Sequence, residues 1–484
     1  MPGCTGAAYS GDGYNGAMQL ECVRQVGDPP TSQRIAEVRL TFGLPTANAP
    51  GGVNARASAN ALNDEDVGER WILHPVSVRL GPGRIVAFVG PSGSGKTAAL
   101  EQIKARLPGA HTVSRTVFPT DRSVVDAVCA QTSLAEALAL LSACALSEAP
   151  LWLRRFNELS DGQRFRAKLA RALGLHARGR SPAPLLCDEF CSGLHRRAAK
   201  AVAFNLRKLV TRKRLSVVIA AGNDDILPDL QPDTTVRLLG NGHHEKTERK
   251  PRPRAISFHR RLRIERARKA DYDRFAQMHY RRTDELGFVD KVFVLREGLD
   301  GDCLGIVVYA HGPIELSLRN RATRGRFRGR PDRLNRDMRI LRRLVVHPDV
   351  RGCGLGHMLV RKTLPLVGTR YVECLASMGT VNPVFERAGM RRIGLCSVPP
   401  QQTRTLEALR RMGVDPFARD FAVLVCRRRR VRAVITEFVR RWYQATTGRG
   451  DTRVARQSSL FLARTFRALI GSRPVYYLWQ REAA

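Results

Sequence analysis

Short apolar runs along this chain form two separate series, each alternating with longer amphipathic stretches. Residues Met1 to Ser32 are small and polar without periodicity, so a loose tail is expected over 1–33, and Ala47 to Val67 reads the same way. Between them, Arg34 to Leu44 alternates as a strand does. From Ile72 the pattern is strand, turn, strand (Val76 to Leu80, Ile85 to Val89), then a helix opening at Gly95, with further short strands at Pro184 to Cys187 and Leu215 to Ala221. Strands alternating with helices predict an α/β domain over 34–242 with a mostly parallel, covered sheet. From Asn241 to Phe258, Gly, His, Lys and K-P-R-P-R replace the periodicity, and a basic linker is expected over 243–260. A second strand-and-helix series occupies 261–425, interrupted by an arginine-rich insertion from Arg319 to Arg336. A basic extension, 426–484, opens on Arg427 to Arg430, continues as two amphipathic helices (Val431 to Ala445, Ser459 to Leu469) and ends in the aromatic run Pro474 to Trp479.

Composition narrows the classes. With 484 residues, 43% of them hydrophobic and 26% charged, the chain supports two or three cores and is not mostly disordered. A formal charge of +37 attracts polyanions, which points to RNA or DNA, although the arginine bias of a GC-rich host produces the same number. No apolar run reaches the roughly 18 residues that cross a bilayer, so the chain carries no membrane channel of its own. The N-terminus lacks the order of a secretory signal, and 11 cysteines without C-x-x-C pairing read as reduced thiols, so a cytoplasmic location is expected. Cys187 and Cys191 flank Asp188 and Glu189 but lack the second half of a zinc site.

Chemistry concentrates at two glycine-rich turns. After the apolar strand Ile85 to Val89 comes G-P-S-G-S-G-K-T, in which Gly90, Ser92, Gly93 and Gly95 leave backbone N–H groups free to turn toward phosphate oxygens. Lys96 would reach the β and γ phosphates and Thr97 would bind Mg2+. Pro184 to Glu189 supplies the complement: an apolar strand ending in Asp188, a second Mg2+ ligand, followed by Glu189, able to orient an attacking water. Between them stands Leu159-Ser160-Asp161-Gly162-Gln163. In this order and spacing the motifs resemble an ABC-type ATPase over Arg34 to Gly242. That resemblance implies that Ser160, Gly162 and Gln163 complete the ATP site of a second subunit, hence a homodimer clamping two ATPs. Asn223 stands where the family usually has a histidine, and His195 ends the stretch after Asp188 where an aspartate is usual. No glutamine lies near Phe118 to Arg122, and Trp71 is a possible adenine-stacking aromatic. Slow hydrolysis is expected, with a non-hydrolysing ATP-sensing clamp as the alternative.

The second turn, Arg351-Gly-Cys-Gly354-Leu-Gly356, follows the strand Leu341 to His347 and opens a helix, His357 to Leu366. Amides bared at a helix N-terminus suit a pyrophosphate. With the strand Tyr371 to Leu375 and the stretch Asn382 to Met390 after it, this segment resembles the GNAT acetyltransferase superfamily over Arg261 to Val425. The resemblance implies that Val345, Val346, Arg351, Gly352, Gly354 and Gly356 hold acetyl-CoA and that Asn382 lies by its pantetheine arm. Phe385 replaces the tyrosine that often protonates the leaving thiolate. Candidate acid/base groups are His279, Tyr280, Glu373 and His347, with His279 favoured because a histidine titrates near neutrality. The Arg319 to Arg336 insertion, with Phe327, suits phosphate contact and base stacking, and the C-terminal extension either enlarges that surface or packs on the second domain. The combined expectation is an ABC-type ATPase coupled to an acyl-CoA-dependent N-acyltransferase acting on a nucleic-acid base amine. The alternatives are a nucleic-acid clamp with a silent acetyltransferase domain, or a protein or small-amine acetyltransferase.

Overall fold

Strand β1 (Ala17–Val26) pairs antiparallel with β2 (Gly68–Arg79), and helix α1 (Gln33–Phe42) lies between them in sequence. The computed structural model describes residues 17–26, 32–42, 68–129, 133–179, 183–252, 255–279, 286–298, 301–447, 452–471 and 473–482. Strands β3 (Ile85–Val89), β4 (His111–Thr112), β5 (Leu185–Cys187), β6 (Val217–Ala221), β7 (Thr234–Gly240) and β8 (His243–Glu248) form one sheet in the order β4-β5-β6-β3-β7-β8. All neighbouring pairs are parallel except β7–β8. β3 is apolar throughout because both faces are covered. Ile85, Ala87 and Val89 point into one core and Val86 and Phe88 into the other. The first core is closed by α3 (Asp161–Gly179) and α4 (Arg196–Lys213), and the second by α2 (Lys96–Arg106) with the β1–β2 ribbon.

A second sheet takes strands β9 (Leu262–Ala267), β10 (Val289–Glu297), β11 (Cys303–Ala310), β12 (Met338–Val346), β13 (Tyr371–Ala376), β14 (Arg391–Leu395) and β15 (Val475–Gln480), in the order β14-β15-β13-β12-β11-β10-β9. Only β12–β13 is parallel, and its pairing runs from Met338↔Tyr371 to Leu341↔Cys374. The last five residues of β12 have no ladder partner on that side. Helices α5 (Ser317–Ala322) and α6 (Pro331–Asp337) precede β12, α7 (Leu355–Thr363) follows it, and α8 (Val384–Arg387) follows β13. Between β14 and β15, helices α9 (Pro400–Arg411), α10 (Phe421–Arg427), α11 (Arg429–Thr447) and α12 (Ser459–Leu469) enclose a core of their own around Phe421, Ile435, Leu462 and Phe466. Ala201 and Phe204 of α4 pack into the core of the second sheet with Val350, Leu355 and Leu359, so the two α/β units share a dry contact.

Four expectations are corrected. The tail contains β1, while residues 1–16 and 27–31 lie outside the described residues, as does all of Ala47 to Val67. Arg34 to Phe42 is not a strand but part of α1, started by the Ser32 hydroxyl, which accepts the Ile35 N–H at 3.3 Å, while residues 43 and 44 lie outside the described residues. The linker over 243–260 begins with β8, folded back on β7 by an Asn241-Gly242 turn whose φ values are 48° and 79°, the left-handed pair that such hairpins demand. The segmentation at 425 divides one sheet, because β15 inserts between β13 and β14 and makes the intervening helices an insertion rather than a tail.

Candidate functional site

At the carboxyl end of β3, Gly95 caps α2 with φ 95°, and a Cβ there would lie 2.6 Å from Ile72 Cγ2 and 2.8 Å from Ile72 O. Only glycine fits between β2 and the helix start. This contact also sets Trp71, the neighbour of Ile72, close to the loop, where its ring stacks on His74 at 4.9 Å. The Lys96 ammonium spans the loop, donating to Gly90 O at 2.8 Å and to Pro91 O. Thr97 Oγ1 donates to Asp188 Oδ2 at 2.8 Å, so a hydroxyl and a carboxylate from different elements converge. Two hard oxygen donors side by side fit Mg2+, which takes one or two protein ligands and completes its shell with water and phosphate oxygens. Among the described residues no group of three or more His, Cys, Asp or Glu side chains could hold a metal ion on its own.

Asp188 Oδ1 accepts the Glu189 N–H at 2.9 Å, and Glu189 is exposed with φ 48°, unusual for a residue with a side chain. That conformation holds the carboxylate at the strand end rather than in the helix that follows. Asn223 lies exposed beyond β6, which runs between β3 and β5, so it shares the carboxyl edge with Lys96 and Asp188. Ser160 caps α3: its carbonyl accepts the Arg164 N–H at 2.7 Å, and Gln163 Oε1 accepts its N–H at 3.1 Å. Gly162 abuts the loop after Asp188, where a Cβ would lie 3.2 Å from Leu194 Cδ2. Cys187 and Cys191 are fully buried, and burial raises both thiols, which fits core packing.

The second turn is built differently from expectation. Arg351 does not present its guanidinium to the loop. Its side chain turns inward, donating to Val346 O at 2.8 Å, Ser147 O at 2.6 Å and Met278 O at 2.9 Å, and burial lowers its pKa. Arg351 is therefore a brace across the two domains. Gly352 and Gly354 take left-handed φ values of 84° and 87°, and Gly354 caps α7. At this helix start the first N–H groups lack intrahelical partners. Gly356 lies beside Val346 and Val384, Val346 is half-buried, and Val345 is buried in the sheet. Asn382 is exposed in the loop between β13 and α8.

Glu373 is corrected as an acid/base candidate. It is 0% exposed, accepts two hydrogen bonds from Arg319 (2.9 and 2.6 Å) and one from Tyr476 (2.8 Å), and has no access to a reacting group. Within the insertion, Arg319 and Phe327 are core residues and so unavailable for phosphate contact or base stacking, whereas Arg321, Arg324, Arg328, Arg330 and Arg336 are exposed. Tyr280 lies outside the described residues. His279 is half-buried and follows Met278, whose carbonyl Arg351 holds, so the brace ties it to the second turn. His347 follows β12 with its ring beside Asp349, and burial, then Arg197 and Arg351, lower its pKa against Asp349 and Asp302. Phe385 is buried against Tyr477, whose hydroxyl donates to Glu386 Oε1 at 2.9 Å. Sequence reading missed Tyr477, which only the strand insertion of β15 brings there.

A glycine loop after a central parallel strand, with its lysine, threonine and a neighbouring strand-end aspartate, defines the first domain as a P-loop nucleotide triphosphatase. No family model matches the chain. The hemin import ATP-binding protein HmuV of Hahella chejuensis is 30% identical over 176 residues, 29% of this chain and 68% of that protein. The lipoprotein-releasing system ATP-binding protein LolD of Novosphingobium aromaticivorans is 27% identical over 212 residues, 34% of this chain and 87% of that protein. Among solved structures, the dimeric MJ0796 ABC transporter cassette is similar at 18% identity, with a TM-score of 0.30, over 39% of this chain and 93% of that one. Through its first domain the chain belongs to the family of ABC-type ATP-binding proteins.

Proposed function

We propose that this protein binds and hydrolyses ATP with Mg2+ between the first domains of a homodimer, and that its second domain binds acetyl-CoA or a related acyl-CoA and transfers the acyl group to an amine of RNA or DNA. The observation that carries the reading is the paired construction of two phosphate sites, each a glycine turn between the carboxyl end of a sheet strand and a helix N-terminus, at Gly90–Thr97 and Arg351–Gly356. In the first, Lys96 and the backbone amides hold phosphates, Thr97 and Asp188 hold the ion, and Glu189 orients water. Ser160, Gly162 and Gln163 face the partner's nucleotide, and Asn223 supplies an uncharged hydrogen bond to the γ phosphate.

In the second, β12 and β13 separate beyond Leu341 and Cys374, which leaves the β13 side of β12 from Arg342 to Val346 without a ladder partner and opens a cleft for an extended carrier arm, with the Val346 carbonyl held by Arg351. With Glu373 excluded, His279 and His347 are the candidates among the described residues, and His279 is assigned as the base because Arg351 ties the preceding carbonyl to the second turn. The nucleic-acid acceptor is supported by the helical insertion, which holds 17 arginines, no lysine and five carboxylates between residues 399 and 473. Arg427, Arg428, Arg429 and Arg430 are all exposed there, and Phe417 and Phe461 stand exposed on the same module for base stacking. The absent hydroxyl at Phe385 favours a second reading, an ATP-driven nucleic-acid clamp that binds but does not transfer. Incubation with labelled acetyl-CoA, ATP and total RNA or sheared DNA separates the two. Label on nucleic acid that requires Lys96 and His279 supports transfer; nucleic-acid-stimulated hydrolysis without label supports the clamp; neither activity refutes both.

A further inference from the structure

The second glycine turn is touched from outside by the ATPase domain. Lys208 of α4 donates to Gly352 O at 3.0 Å and Asn205 of α4 donates to Arg351 O at 3.2 Å. The contact is close: a Cβ at Gly352 would lie 2.7 Å from Asn205 Nδ2. From the other side the His357 ring closes on the turn, since a Cβ at Gly354 would lie 2.9 Å from His357 Cε1. Arg212 follows Lys208 by one turn of α4, and Arg361 follows His357 by one turn of α7, so each pair shares a helix face. Arg387 comes from α8, which packs on α7 near Gly356.

These cations are unlike their neighbours. On α4, Arg197 is paired with Glu297 and Asp302, Arg207 with Asp233, and Lys213 with Glu136. Lys208, Arg212, Arg361 and Arg387 are exposed and have no ion pair among the described residues. Partial burial, then Arg387, Lys208 and Arg361, lower the His357 pKa, while desolvation, then Arg387 and Arg212, lower that of Lys208. A cluster that repels itself is relieved by an anion.

We infer that the two domains build one composite phosphate site here: Lys208 and Arg212 of the ATPase domain, with His357, Arg361 and Arg387, hold the phosphates of the carrier. The inference rests on the acyl-CoA reading above. It assigns the ligand class as a nucleotide carrying a further phosphate besides its diphosphate, because Lys208 and His357 flank the turn and Arg212 and Arg361 add two more cations one helical turn beyond them. CoA, with its additional 3′-phosphate, then binds more tightly than dephospho-CoA.

Calorimetry on the full chain with CoA, dephospho-CoA and inorganic pyrophosphate tests this, with ATP binding as the control for folding. Arg212 and Arg361 are exposed and their side chains make no hydrogen bond or ion pair among the described residues, so Arg212→Ala and Arg361→Ala should fold. Combined, they should weaken CoA by about 10–100-fold, the loss of one or two charge-assisted contacts, leave ATP binding unchanged and narrow the gap between CoA and dephospho-CoA. Lys208→Met should weaken all three carriers, and Lys208→Arg should restore them. If wild-type protein binds CoA and the Arg212/Arg361 double variant binds it equally well, the composite site is wrong while the acyl-CoA reading stands. If wild-type protein binds none of the three, both fall.

Discussion

Arg319→Met tests whether Glu373 is a structural ion. Both side chains are 0% exposed, and the substitution removes two hydrogen bonds from a carboxylate that keeps only Tyr476 as donor. It also deprives Ile314 O and Pro313 O of their donor. Leaving one member of a buried pair uncompensated costs about 3–5 kcal/mol, a large share of the 5–15 kcal/mol or so that holds a domain. Replacing the whole cluster (Arg319→Met, Glu373→Leu, Tyr476→Phe) removes the charge and the orphaned hydroxyl together, and should recover all but about 1–2 kcal/mol. A two-domain chain has no single unfolding free energy, so the readout is local: hydrogen exchange of the β13 and β15 peptides in the intact protein. Opening should accelerate strongly in the single variant and return near wild type in the triple variant. A single variant that costs under about 1 kcal/mol would refute the reasoning, and so would a triple variant no better than the single.

Three further outcomes are expected. Asp188→Asn should retain nucleotide binding but lose at least about 100-fold in phosphate release, because the ion loses its only carboxylate; unchanged release would displace Asp188 from that role. Gly95→Ala should abolish nucleotide binding, since φ 95° and the 2.8 Å approach of Ile72 O leave no room for a methyl group; a fluorescent ATP analogue bound with wild-type affinity would show otherwise. Folding favours the neutral form of His347, so its contribution is present above the ordinary histidine value of about 6.5 and is lost as pH falls through the lower folded-state value. Exchange of residues 346–351, corrected for intrinsic rate, should therefore rise as pH falls from about 7.5 to about 5.5, and His347→Asn should flatten the rise.

What the sequence made legible was local. Gly90–Thr97, Pro184–Glu189 and the α12 boundaries at Ser459 and Leu469 can be read because strand, turn and helix signals sit side by side in the chain. The Asn241-Gly242 hairpin was also local, but a wholly polar β8 hid it, since an edge strand needs no apolar alternation. Other features depend on partners far away. Glu373 and Arg319 are 54 residues apart, and each alone is a plausible surface charge. Tyr476 and Tyr477 reach β13 only because β15 crosses the helical insertion, and no periodicity reports where a strand will insert. Arg351 matched a phosphate motif, yet its partners Ser147 and Met278 lie in other segments and claim its side chain.

The placement of α4 decides how the two phosphate sites relate. Its N-cap, His195, stands seven residues after Asp188, and its body carries the residues that touch the second turn. A helix of 18 residues is about 27 Å of stiff rod, so its ends move together. The brace runs in parallel: Arg351 grips Ser147, and Arg166 of α3 grips Gly162 O and Ala145 O, two residues before Ser147. The second turn is thus held by one contact from α4, the helix after the strand-end aspartate, and another from the segment that α3 grips. Any displacement of α3 against α4 must be absorbed between Ser147, Asn205 and the backbone of Arg351 and Gly352. That turn has little slack, because Asn205 leaves no room for a methyl group at Gly352. Under the acyl-CoA reading proposed above, a displacement of α3 against α4 on ATP binding would reach the second domain at the Arg351–Gly356 turn, through Ser147 and Asn205.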